Sequence, residues 1–297
     1  MEDYKKDWVR GLIPEGVKAG CRSLRARLLS LGLNRQDFCL SEEERKASAM
    51  MSVIIAVHDS PEVTRRCLKS LERFGGESEI ILVDDGSKLE STRRLLDDAC
   101  LRNRWRLIRN DKAMGHSRAS EAGVAGATRS FVCLLNSDTI VTSRSWFGIA
   151  QAFEQFSGIA VVGPSTSQTV TAQVVPRALY CRHYWTDEQI WCFAEKYVAR
   201  HRQEPVVDLP RAGGFAFFVR RNIWEKLGGF DKHLPDYGNE TEFCSRLTRM
   251  GMRVVWSKGS YIHHLGSESY GRTLGLSEIK KRGLDADLYV QKKGLGQ

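Results

Sequence analysis

Several things this sequence lacks narrow what the chain can be. No window approaches the ~18 uninterrupted apolar residues of a membrane-spanning helix, so none of its 297 residues is expected to cross a bilayer. The opening residues, Met1-Glu-Asp-Tyr-Lys-Lys6, carry no apolar core of a secretory signal. The eight cysteines include no Cys-x-x-Cys pair. Cys67, Cys133 and Cys244 sit in apolar runs, where cysteine behaves as a small hydrophobe. Reduced thiols and a cytoplasmic location are therefore expected. There is no Gly-x-Gly-x-x-Gly after the first apolar run, and no Gly-x-x-x-x-Gly-Lys-[Ser/Thr] anywhere. The ordinary dinucleotide and P-loop readings lose their support. No basic stripe is interleaved with aromatics, so no nucleic acid partner is expected. Internal repeats and low-complexity tracts are also missing.

What is there describes a soluble globular protein, 42% apolar and 27% charged. The length fits one large α/β domain or two small ones. The formal net charge of +9 suits an anionic partner such as a nucleotide diphosphate, a lipid phosphate or a membrane surface.

The chain divides into an extension, residues 1–47, a main domain, 48–272, and a basic tail, 273–297. In the extension, Val17, Cys21, Leu24, Leu28 and Leu31 recur at helical spacing with Lys18, Arg22, Arg25 and Arg27 between them. This basic amphipathic helix packs on the domain, or docks on an anionic membrane or on another protein. Ser41-Glu-Glu-Glu44 resembles a capping box.

The main domain opens on Ser52-Val-Ile-Ile-Ala-Val57, a β-branched run that reads as a central strand. Asp59 or Ser60 is expected to cap the helix that follows, with Pro61 in its first turn and Gly75-Gly76 at its end. Residues 79–83 form a second strand, 89–101 a helix, 105–108 a third strand and 115–127 a helix. That rhythm predicts a doubly wound, mostly parallel sheet flanked by helices. Further strands are expected over 131–139, 159–162 (ended by Gly163-Pro164), 215–219 and 253–256, and an antiparallel pairing over 169–175. Helices are expected over 145–156, from the capping box Thr186-Asp-Glu-Gln189, over 221–227 and over 240–250.

The chemistry gathers at strand ends. Phe131-Val-Cys-Leu-Leu-Asn-Ser-Asp-Thr139 runs five apolar residues into a polar cluster. Such a carboxyl end faces the crevice where open α/β sheets bind ligands. Asp84-Asp85 ends another strand. One carboxylate there can accept a base N–H, and Asp138 can hold Mn²⁺ or Mg²⁺ bridging a diphosphate. Glu240, in a helix first turn, is the candidate general base, and His264 a candidate third metal ligand. The plainer readings are a strand-end cap for 136–138, a dipole-favoured acid at 240 and a structural histidine.

The ordered set Ser52–Val57, Val83-Asp-Asp-Gly-Ser87, Leu134-Leu-Asn-Ser-Asp-Thr139, Gly228-Gly-Phe-Asp231, Gly238-Asn-Glu-Thr-Glu-Phe-Cys244 and His264-x-Gly-Ser-x-Ser269 resembles family 2 glycosyltransferases. That resemblance, over about residues 50–272, implies a GT-A fold. This is a single Rossmann-like, mostly parallel sheet with a small antiparallel acceptor-side sheet. It implies an inverting, metal-dependent transfer from a nucleotide-sugar donor, most often UDP-linked. By position, Asp85 would contact the base and Asp84 support its loop, with Ala56, His58, Asn136 and Ser137 also lining the nucleotide. Asp138 and His264 would hold the metal, and Glu240 would be the base. Gly213, Gly214, Asn239 and Glu242 would border the sugars.

There are departures. Asn136 and Asn239 replace usual acids, Ala113 and Glu121 stand where relatives carry Asn, and His116 replaces an aromatic. These bear on which sugar is used. They also keep a second reading open, a silent nucleotide-sugar-binding partner of another glycosyltransferase. The acceptor would be a saccharide, a lipid-linked sugar or a protein, in polysaccharide or glycoconjugate synthesis. The basic extension suggests peripheral work at the inner face of a membrane. Tyr180, Tyr184, Trp185, Trp191 and Tyr197 would stack on sugars or join the core.

Overall fold

The computed structural model describes residues 38–175, 186–234, 236–266 and 275–293. The basic helix expected around 17–31, the aromatics at 180, 184 and 185, and the serines of the last motif lie outside the described residues.

A short helix, α1 (Glu42–Ser48), leads into β1 (Met51–Val57), α2 (Pro61–Phe74), β2 (Glu79–Asp85), α3 (Glu90–Asn103), β3 (Arg106–Asn110) and α4 (His116–Ala125). Then come β4 (Phe131–Leu135), β5 (Thr139–Ile140), α5 (Phe147–Gln155), β6 (Ile159–Ser165), α6 (Asp187–His201), β7 (Val207–Asp208) and β8 (Ala216–Arg220). The chain continues through α7 (Arg221–Leu227), α8 (Asn239–Arg249), β9 (Arg253–Tyr261), β10 (His263–His264) and α9 (Gly275–Lys292). The tail beyond 273 thus carries a helix rather than only polar extension.

The main sheet has eight strands in the order β3-β2-β1-β4-β8-β6-β9-β7, and β10 pairs with β5 in a second sheet of two. β1, β2, β3 and β4 are parallel, β8 runs antiparallel to β4 and β6, and β10 runs antiparallel to β5. Alternation along β1 loads both faces. Val53, Ile55 and Val57 join a cluster with Cys67, Leu71 and Phe74 of α2 and Phe153 of α5. Ile54 joins the opposite cluster with Val124 of α4, Trp224 of α7 and Phe243 of α8. All are buried, so the sheet is covered on both sides, as parallel sheets require.

Several expectations need correction. Residues 169–175 add no antiparallel strand; there is only an isolated parallel bridge between Thr166 and Val174. Gln173 turns inward instead, its amide donating to the Pro164 carbonyl and accepting from Gly213 N. β6 does not stop at Gly163-Pro164 but runs to Ser165. Ser60 stands at the N-cap of α2, but neither it nor Asp59 makes the expected side-chain cap bond, and both take left-handed backbone angles, φ 57° and 53°. The Asp59 carboxylate instead accepts Lys88 N and Leu89 N. The 41–44 box is half formed. Ser41 accepts Glu44 N, while Glu44 reaches across to accept Trp146 N and Phe147 N at the start of α5. The box at Thr186 is complete. Trp191 packs edge-on against Phe74, and Tyr197 stacks on Phe193, so both belong to the packing rather than to an open face.

Candidate functional site

β2, β1 and β4 all end on one edge of the sheet, and the register sets β8 beginning there too, Ala216 opposite Leu135. Strands lie ~4.8 Å apart, and β1 lies between β2 and β4, so the ends of those two strands are two strand spacings apart.

At the end of β2 the two aspartates are used differently. Asp84 accepts Ser87 N at 2.9 Å and faces Arg109 Nε at 3.2 Å. It therefore closes its own turn. Gly86 between them has φ +65°, and a Cβ there would lie 2.5 Å from Ala113 N. Only glycine meets both demands. Asp85 accepts Asn110 Nδ2 (2.8 Å) and Met114 N (2.9 Å) on Oδ1, and Gly115 N (2.9 Å) on Oδ2. A carboxylate has about four acceptor positions, so one remains on Oδ2. Asp85 thus shapes the 110–115 loop while keeping a capacity to accept one more N–H. His58 Nδ1 donates to the Asp85 carbonyl at 2.8 Å, and its ring borders the same edge beside half-buried Ala56.

After β4 the chain turns. Asn136 N donates to Phe215 O, and Thr139 Oγ1 returns to the Asn136 carbonyl. Ser137 is buried, and Asp138 is 1% exposed. The small β5–β10 sheet brings His264 to it: His264 pairs with Thr139, and Leu265 N donates to the Asp138 carbonyl. His264 Nε2 lies 3.3 Å from Asp138 Oδ1. Its Nδ1 is 2.7 Å from the Gln168 carbonyl. A carbonyl only accepts, so Nδ1 carries a proton, and Nε2 is the ring atom that faces the carboxylate. The ring stacks on Phe215 with centroids 5.4 Å apart, and Ser167 Oγ takes its backbone N–H.

This pair fits a divalent cation. Cis ligands ~2.1–2.2 Å from an octahedral ion stand about 3.0–3.1 Å apart, close to the 3.3 Å observed. Carboxylate oxygen and neutral imidazole are both suitable donors for Mn²⁺. Among the described residues no group of three or more His, Cys, Asp or Glu is gathered for a metal. A cation here would complete its shell from phosphate and water, the usual arrangement for nucleotide-bound Mg²⁺.

Glu240 stands in the first turn of α8, directly over Gly214: a Cβ at 214 would sit 2.0 Å from Glu240 Oε1. Since Gly214 lies two residues before Ala216, the Glu240 carboxylate shares the edge with the turn after β4. Glu240 thus lies against the segment leading into β8, beside the turn that carries Asp138, while Asp85 ends β2 along the same sheet edge. Glu242 does not join them. It is 2% exposed and forms two hydrogen bonds with Arg246, at 2.7 and 3.0 Å. Its role is to tie α8, through Arg246, to the carbonyls of Leu227 and Gly229. Asn239 is fully buried, and neither polar atom of its side chain has a hydrogen-bond partner. Gly213 N is held by Gln173 Oε1 at 2.8 Å.

Sequence reasoning passed over Arg211, which donates to Thr241 Oγ1 at 2.6 Å beside the candidate base. It passed over Phe215, though an aromatic beside the glycine pair offered a signal. Gln168 acts on His264 through its backbone carbonyl, for which no side-chain pattern exists.

The glycosyl transferase family 2 model matches residues 52–228. An inactive polypeptide N-acetylgalactosaminyltransferase-like protein 5 of Macaca fascicularis is 24% identical over 266 residues, 82% of this chain and 59% of that protein. The O-antigen biosynthesis protein RfbC of Myxococcus xanthus is 24% identical over 233 residues, 74% of this chain and 18% of that protein. The chain thus spans well under two thirds of these relatives' own lengths. Among solved structures, GalNAc-T7 with UDP, GalNAc and Mn²⁺ superposes with TM-score 0.57 at 17% identity, covering 72% of this chain and 43% of that one. The mannosyltransferase PcManGT of Pyrobaculum calidifontis, in complex with GDP-Man and Mn²⁺, gives 0.54 at 15% identity, covering 91% and 74%. The described sheet and its helices have the architecture of these GT-A structures.

Proposed function

We propose that this chain, which belongs to glycosyl transferase family 2, moves a sugar from a nucleotide-sugar donor to an acceptor hydroxyl. The observation that carries this reading is the Asp138–His264 pair, 3.3 Å apart at the edge that Glu240 also reaches. UDP is the favoured nucleotide, and Mn²⁺ or Mg²⁺ the favoured cation. Two solved neighbours carry Mn²⁺, one with UDP and one with GDP-Man, which supports a nucleotide-sugar donor with a divalent cation, the first of them favouring UDP.

In this reading the 110–115 loop ordered by Asp85, with His58, Ala56, Asn136 and Ser137, brackets the nucleotide. Asp85 Oδ2 accepts a base N–H, and Asp84 keeps the turn closed. Asp138 and His264 would hold the cation, which would neutralise charge on the leaving diphosphate as a Lewis acid. Glu240 takes the proton from the acceptor hydroxyl as its oxygen attacks the anomeric carbon. The bond to the diphosphate breaks on the opposite face, and the configuration inverts. Gly213, Gly214 and Asn239 border the sugars. The acceptor is a saccharide, a lipid-linked sugar or a protein, and the basic extension keeps the enzyme beside an anionic membrane, on its cytoplasmic side.

The test pairs two variants. Asp138→Ala should lose Mn²⁺-dependent binding of the donor. Glu240→Gln should bind donor with Mn²⁺ as the wild type does and lose transfer by ~10²-fold or more. Transfer at the wild-type rate by Glu240→Gln would remove the base from this account. A second reading, a silent sugar-nucleotide-binding partner, draws on the buried amide at 239 and on the inactive relative. Slow hydrolysis of any UDP-, GDP- or dTDP-sugar in the presence of metal would exclude it.

A further inference from the structure

The segment from Asp231 to Gly238 delivers Glu240 to the site, and the C-terminal helix α9 grips that segment at both ends. At one end, Asp231 is almost enclosed. Its Oδ1 accepts His233 N at 3.0 Å and lies 2.9 Å from His233 Nδ1. Its Oδ2 accepts the Tyr289 hydroxyl at 3.0 Å and is paired with Lys293 Nζ. Burial raises this carboxyl, but Lys293, His233 and Tyr289 outweigh it and hold it well below the usual carboxylate range. His233 also stacks on the Tyr289 ring.

In the middle, Leu234 is 2% exposed among Ala286 and Val290, with Tyr237 and Tyr289 against them. The other side of the segment is fastened to α4, where Ser117 Oγ donates to Leu234 O and His116 N donates to Asp236. At the far end, Gly238 has φ +78°, and a Cβ there would lie 3.1 Å from Ala286 Cβ and 3.5 Å from Val290. α9 therefore packs directly behind the turn from which Glu240 projects two residues later.

We infer that α9 is the positioning clamp for Glu240, holding it through the contacts of Asp231 with Tyr289 and Lys293. None of these three residues needs to touch substrate. The inference rests on the proposed role of Glu240 as base. A shift of ~1 Å in a reacting group costs on the order of 10²-fold in rate, so loosening the segment should appear in turnover and not in donor affinity.

The experiment uses the full chain with Lys293→Met combined with Tyr289→Phe, and Lys293→Arg as the conservative variant. Hydrogen exchange of amides 232–242 should quicken by ~10-fold in the double variant, with β4 unchanged. Its kcat should fall by about 10-fold or more, while KM for the donor stays within ~2-fold. Lys293→Arg should retain wild-type values for both. Unchanged exchange across 232–242 overturns the clamp, and faster exchange with full kcat overturns the positioning role. If the wild type transfers no sugar from any donor, the proposed function fails instead. Exchange alone then decides whether α9 restrains the segment.

Discussion

Adding a single methyl group at Gly214 should disable the enzyme without unfolding it. An ideal Cβ at this position falls 2.0 Å from Glu240 Oε1 and 2.7 Å from its Cδ, whereas ordinary contact begins near 3.4 Å. The carboxylate must therefore retreat by about 1.4 Å, the difference between 3.4 and 2.0 Å. Position 214 is not among the glycines with positive φ, so alanine brings no backbone strain. What the methyl meets is the far end of a half-exposed side chain, and that end can rotate away. The fold should lose little: surface-like adjustments of this kind stay within ~0.5 kcal/mol. Activity should lose much more, since displacing a reacting group by ~1 Å costs on the order of 10²-fold. The assay is steady-state transfer, with the thermal midpoint and donor affinity measured on the same preparation. Gly214→Ala should melt with the wild type and turn over ~10²-fold more slowly. Adding Glu240→Gln to it should bring little further loss, because both changes remove the same contribution. Full turnover by Gly214→Ala, or an additive loss in the double variant, would refute the reasoning.

Two further changes probe the scaffold. Gly148, inside α5, would place a Cβ 2.4 Å from both the carbonyl carbon and oxygen of Gly259 in β9. Backbone cannot swing aside, so Gly148→Ala should cost about 1–3 kcal/mol in a urea melt; an unchanged midpoint would mean the helix and strand are less tightly apposed. Glu44 is a pH-sensitive strut. Burial pushes its carboxyl up to about 7 from 4.5, against the opposing pull of the Phe147 and Trp146 amides and of Arg144, with Glu195 adding to the rise. The folded chain then holds a proton that the unfolded chain releases. Stability should fall as pH rises from 4.5 to about 7, by on the order of 3 kcal/mol. Glu44→Gln should flatten that slope in denaturant melts at several pH values; a slope equal to the wild type's would assign the dependence elsewhere.

Much of this architecture was legible because apolar period and strand-end chemistry are local. β1, β2 and β4 announce themselves as β-branched or leucine runs, and each ends on the polar residues that the sheet edge then displays. The family resemblance supplied the order in which those ends would meet. What failed was local in sequence but decided in three dimensions. Asp59-Ser60 looks like a cap, yet the turn takes left-handed angles because Asp59 is needed to accept Lys88 N and Leu89 N from the next loop. Residues 169–175 alternate like a strand, yet Gln173 spends its amide on Pro164 and Gly213, and no ladder forms. Glu44 sits where a capping box wants it but caps a different helix, 102 residues away. In each case the polar side chain had two possible partners, and only the distant one could not be read from neighbouring residues.

Residue type did not separate the acids that build the edge from those proposed to work at it; the company each acid keeps helps to do so. Asp84 is absorbed by Ser87 and Arg109, and Glu242 by Arg246. Glu195 is absorbed by Ser143 and Arg144, and Glu44 by the start of α5. Asp85 is mostly spent on ordering its loop. The described edge presents Asp138 beside His264 on one side and Glu240 over Gly214 on the other. One side offers a carboxylate oxygen and an imidazole nitrogen at the spacing of neighbouring ligands on a cation. The other offers a carboxylate resting on bare backbone. A transfer reaction needs that division: charge stabilisation where the leaving group departs, and a proton acceptor where the nucleophile arrives. Under the proposed function, the glycine at 214 is what allows the proton acceptor to lie against this edge.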